Sequence, residues 1–154
     1  MLETERETHV RNLRSKDANS AYASLQALEA ESRDGECVYP YFDCFAAMLG
    51  DPSGYVRIRG IRLIAANARW AEDERLKAVL PELLGHILDP KPIVARQCIS
   101  RLPEIAAGRP PVAAVIGEAL RAAADPSCYA DTMAPLVTRD IAAALKEIEM
   151  ITTR

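Results

Sequence analysis

A chain of 154 residues with 49% apolar and 27% charged side chains is long enough to bury a core of its own and too apolar to stay disordered. Its 22 acidic residues outnumber its 19 basic ones, for a net charge of -3, a balance that argues against a dedicated nucleic-acid binder. No apolar run approaches the roughly eighteen residues that span a bilayer, and the acidic opening MLETERETHV lacks the chemistry of a secretory or transit segment, so a cytoplasmic protein away from membranes is expected.

Taken in chain order, helical periodicity predicts eight helices, at about 3–13, 18–32, 38–49, 54–69, 73–88, 93–107, 111–124 and 129–150. In the third, Tyr39, Tyr41, Phe42 and Phe45 bunch at a spacing that reads as hairpin core. The fourth, within DPSGYVRIRGIRLIAANARW, holds four arginines and no acid. The fifth opens on EDE at 72–74, where negative charge complements the helix dipole. Pro81, Pro103 and Pro135 fall inside the fifth, sixth and eighth spans, where a missing backbone donor is expected to kink or break a helix. Alternating β-branched and aromatic runs are missing and only 5% of residues are aromatic, so the fold class is all-α.

The turns repeat. Asp51-Pro52, Asp89-Pro90 and Asp125-Pro126 recur at intervals of 38 and 36 residues, each after one apolar helical segment and before another. Asp and Ser can cap the following helix, and Pro is tolerated in its first turn. The unit is helix, turn, helix. The segments LPELLGHILDPKPIVARQCI and AAMLGDPSGYVRIRGIRLI resemble HEAT repeats, with a leucine-rich first helix, an Asp in the turn and a Val-Arg near the start of the second helix. Val56-Arg57 fits that pattern; Val94 and Arg96 fit it with the arginine displaced by one. The period is slightly short for HEAT units, but the Trp, Leu-Gly and Tyr marks of tetratricopeptide repeats are absent.

The resemblance implies a right-handed α-α superhelix, a HEAT-like solenoid of about four antiparallel hairpins forming one domain over 1–154, with its clearest units at 38–70, 73–107 and 111–150. It further implies a structural ladder in which Arg57 pairs with Asp51 or Asp89, and Arg96 takes the matching place one unit on. YADTMAPLVTRDIAAALKEI is similar to the end of small bacterial HEAT-like proteins that carry an iron-sulfur assembly name.

On a helical wheel Val56, Gly60, Leu63, Ile64 and Ala68 share one arc, which is the expected buried face and includes Arg57. Arg59, Arg62 and Arg69 gather in another sector. Second helices usually line the concave face of a solenoid, so these three, with Trp70 beside Arg69, form a candidate surface for an acidic protein partner. The alternatives are a solvated face and, for Trp70, a packed tryptophan. One repeat on, Gln97 and Ser100 stand in place of Arg59 and Arg62, so no continuous basic track for nucleic acid is carried along the chain.

Cys37, Cys44, Cys98 and Cys128 have no CxxC spacing and read as reduced thiols, with Cys98 at the register of Gly60 on the packed face. His9 and His86, the two histidines, lie in different hairpins. No catalytic set, phosphate-binding glycine loop, cofactor or metal site is expected. The reading is a non-catalytic helical scaffold or adaptor for protein partners, with nucleic-acid binding through the arginines and iron-sulfur or metal handling as the alternatives.

Overall fold

In the structure, a computed structural model that describes residues 1–126 and 128–153, the helical periodicity becomes α1 Glu3–Asn12, α2 Ala18–Asp34, α3 Phe42–Met48, α4 Gly54–Asn67, α5 Asp73–Gly85, α6 Pro92–Gly108, α7 Ala113–Ala122 and α8 Ala134–Thr152. Short 3-10 turns lead into α3 (Tyr39–Tyr41), follow α5 (His86–Leu88) and lead into α7 (Pro110–Val112). The fold is all-α, with no strand among the described residues. None of the described helices is long and apolar enough to cross a membrane. The helices form two compact units, Met1–Ala71 and Glu72–Arg154. In the first, α1 packs on α2, α3 on α4, and α2 on α4. In the second, α8, α7 and the turn His86–Leu88 all pack on α6, and α7 packs on α8.

The prolines correct the expected boundaries. The last helix begins at Ala134 rather than 129, which puts Pro135 in the first turn, where its missing N–H leaves no helical bond unmade. The chain before it is irregular, and Tyr129 there donates its hydroxyl to the Asp89 carbonyl. Pro81 and Pro103 do lie in helix interiors, yet α5 and α6 each remain one helix. Tertiary packing here outweighs the loss of a single hydrogen bond.

Two of the three Asp-Pro turns have the same hydrogen bonds. Asp51 N–H donates to the Met48 carbonyl at 3.2 Å, and Asp89 N–H to the His86 carbonyl at 3.1 Å. Each aspartate then accepts, on Oδ1, the N–H two residues on: Ser53 at 2.8 Å and Lys91 at 2.8 Å. This side-chain turn holds the backbone open just before α4 and α6, and it is made by the aspartates rather than by Ser53, whose side chain makes no cap. The third turn, at 125, runs into Ser127, which lies outside the described residues.

The same 38-residue register governs helix packing. A Cβ placed on Gly60 would lie 2.8 Å from the Phe45 carbonyl oxygen and 2.9 Å from Met48 Cβ, so α3 and α4 approach at a distance only glycine permits. One repeat on, Cys98 is fully buried, and its Sγ lies 3.5 Å from the Leu83 carbonyl oxygen. Around the first contact Phe42, Phe45, Met48, Leu49, Ile61, Leu63 and Ile64 are buried, as are Leu13, Leu25 and Leu28 of the first hairpin. Of the four aromatic residues expected in that core, Tyr39 and Tyr41 remain partly exposed at its edge.

Candidate partner-binding surface

α4 is packed on two sides, by α3 and α2, and this leaves little of it to solvent. From Arg59 to Ala68 every residue but Arg62 is buried. The outward strip of the described helix is Tyr55, Ile58 and Arg62, which follow one another at helical spacing. Tyr55, at 65% exposure, is its most open member.

The arginine sector divides into three environments. Arg59 is only 7% exposed, and its Nη1 donates to the Leu13 carbonyl at 2.7 Å, closing the C-terminal end of α1. Burial lowers its pKa from the ordinary arginine value, although it stays cationic at neutral pH. Arg62 forms a two-pronged pair with Glu29 of α2, Nε to Oε2 at 3.1 Å and Nη2 to Oε1 at 2.7 Å, and its guanidinium carbon lies 5.8 Å from the Tyr22 ring centroid. Arg69 alone is exposed, in the turn after α4, and has no ion-pair partner among the described residues. Trp70 donates its indole N–H to the Ser32 carbonyl at 2.8 Å and is partly buried against the end of α2.

What the wheel misses is the groove beside this strip. Between α2 and α4 lies a hollow of about 380 Å³, lined by Ala18, Tyr22, Leu25, Tyr55, Ile58, Arg59 and Arg62 among others. Tyr22 and Tyr55 form its most exposed apolar surfaces. Tyr55 was detectable in the sequence as a member of the arginine strip, whereas Tyr22 comes from α2 and carries no local signal. A second groove of about 490 Å³ lies between α6 and α8, lined by Ile93, Arg96, Gln97, Ser100, Asp140, Glu147 and neighbours. Ile93, Gln97 and Ser100 stand 38 residues after Tyr55, Arg59 and Arg62. Two second-helix grooves therefore open at the same register of the repeat, each with an exposed apolar residue at its lip.

The residues of the expected ladder hold the turns through several bonds. Arg57 is buried and grips the turn through backbone oxygens, those of Asp51 at 2.9 Å and Pro52 at 3.1 Å, while the Asp51 carboxylate pairs with Arg14 at 2.9 Å. Asp89 is fully buried and takes His86 Nδ1 on Oδ2 at 2.7 Å. Arg96 donates its Nε across the groove to Asp140 of α8 at 2.7 Å, and that hydrogen bond and charge raise its pKa.

The remaining polar groups serve the hairpins. His9 Nδ1 lies 2.8 Å from Ser24 Oγ, and Asn12 Nδ2 donates to Ser20 and Ser24, which ties α1 to α2. Ser24 is buried beneath this cluster, while His9 also borders a shallow hollow with Thr4, Glu5 and Thr8. Among the described residues no three His, Cys, Asp or Glu side chains are grouped so as to hold a metal ion. Cys37, Cys44 and Cys128 are exposed. No family model matches the sequence, and no curated protein matches it either.

Proposed function

We propose that the chain is a HEAT-like scaffold that docks partner proteins along the grooves between its second helices. The observation that carries this reading is the recurrence of a groove at one register of the repeat, with Tyr55 exposed at the first lip and Ile93, 56% exposed, at the second. Exposed apolar side chains beside a partly apolar hollow are the ordinary makings of an interface anchor. The shared turn bonds at Asp51 and Asp89 and the matched Gly60 and Cys98 contacts support a true structural repeat, and hence the solenoid arrangement.

Nucleic-acid binding has less support, because Arg62 is paired with Glu29 and, one repeat on, Gln97 and Ser100 stand in place of Arg59 and Arg62, so no basic track is continued. A photo-crosslinking amino acid placed at Tyr55 or Ile93, in cells that make the chain naturally, is expected to trap a discrete protein adduct. The same probe at exposed Ala47 of α3 or Val115 of α7, both on first helices, is expected to trap none. Equal adducts at all four positions, or none at 55 and 93, would reject the second-helix surface.

A further inference from the structure

We infer that the groove between α2 and α4 receives an acidic side chain of the partner polypeptide at Arg59, with an apolar neighbour of that side chain laid against Tyr22 and Tyr55. This rests on the docking reading above and specifies the partner's chemistry. Arg59 lines the groove, is more than nine-tenths buried, and bonds only a neutral acceptor, the Leu13 carbonyl, with no carboxylate paired to it among the described residues. The end of α1 offers it only about half an elementary charge of compensation. A desolvated cation without a full counter-ion is unfavourable, and its lowered pKa, caused by burial, has the sign expected of that state. An arriving carboxylate would relieve it.

The neighbouring charges are balanced. Arg62 is paired through two atoms to Glu29, and Arg14 to Asp51. One uncompensated positive charge in a groove also lined by two exposed tyrosines fits a single carboxylate with an apolar residue beside it. It fits a nucleic acid poorly, since that ligand brings a phosphate with every nucleotide. The α6–α8 groove provides the contrast: Gln97 and Ser100 replace the two arginines, Arg96 and Asp140 balance each other, and Glu147 leaves the lining net negative. An acidic ligand should prefer the first groove.

The probe is a random heptapeptide library displayed on phage and selected on the immobilised full chain, with the most enriched peptide then synthesised and titrated by fluorescence anisotropy. The expected consensus carries Asp or Glu next to an aromatic or branched aliphatic residue. Replacing that acid by its amide, or making Tyr55→Glu or Arg59→Gln in the protein, should weaken binding by about tenfold or more, the scale of one charge-assisted contact. Tyr55 is exposed, so its substitution leaves the fold in place; if Arg59→Gln unfolds, the peptide amide and Tyr55→Glu decide the matter. A consensus without an acid that still depends on Tyr55 would overturn the acidic ligand and leave the docking surface standing. Peptides indifferent to Tyr55→Glu, or no consensus at all, would overturn both. Displacement of the peptide by oligothymidylate, lost in Tyr55→Glu, would reassign the groove to nucleic acid and overturn the inference.

Discussion

Replacing Gly60 by alanine tests whether the close approach of α3 and α4 is fixed. The new Cβ would sit 2.8 Å from the Phe45 carbonyl oxygen and 2.9 Å from Met48 Cβ. Carbon contacts are comfortable at about 3.5–4 Å, so the two helices would have to part by roughly half an ångström or more. The first obstacle is backbone and cannot swing aside. Overpacking of this kind costs about 1–3 kcal/mol, and the better helix propensity of alanine offsets about 0.5–1 kcal/mol of it. The net expectation is a loss of about 1–2 kcal/mol, which for a chain of this size lowers Tm by about 2–8 °C. Urea titration followed by far-UV circular dichroism reads this directly, with an unchanged slope showing that the surface exposed on unfolding is the same. Gly85→Ala is the matched control: Gly85 is right-handed helical and a Cβ there meets nothing, so the change should stabilise by about 0.4–1 kcal/mol. If Gly60→Ala is as stable as the unsubstituted chain, the helices are not held at glycine distance and the reasoning fails.

Arg62→Ala removes both bonds to Glu29, which is 3% exposed, and should cost about 2–4 kcal/mol, whereas Arg69→Ala at an exposed turn should stay within about 0.5 kcal/mol. Equal effects in urea titrations would contradict the division of the arginine sector. Under native conditions an aromatic disulfide reagent should titrate Cys37, Cys44 and Cys128, with Cys98, whose burial raises its pKa, reacting only on unfolding; four fast thiols would place Cys98 outside the core. Tyr129 is held neutral, its pKa pushed up to about 12 chiefly by burial. Its contribution is therefore intact below about pH 10, where a tyrosine in the unfolded chain begins to ionise, and is lost as pH rises toward 12 because the unfolded state sheds its proton first. Stability should fall more steeply over that window in the unsubstituted chain than in Tyr129→Phe, and parallel curves would show the hydroxyl to be solvated.

Local features were legible because local physics produces them. The all-α class follows from periodicity, the turns from an aspartate that bonds the N–H two residues on, and the buried places of Gly60 and Cys98 from a shared register. The start of α8 was misread for an equally local reason, since Pro135 is acceptable only in the first turn that the longer span denied it. Tertiary structure decided which charges are available. A wheel sorts residues into sectors of one helix, but the partners of Arg59 and Arg62 lie 46 and 33 residues away, just after α1 and on α2, and nothing in α4 announces them. α4 has neighbours on two sides, so most of the sector that an isolated amphipathic helix would give to water is covered. Arg59 became a buried cap, Arg62 half of an ion pair and Arg69 an exposed cation because desolvation and pairing depend on what packs against a face, and that is set by helices distant in the chain.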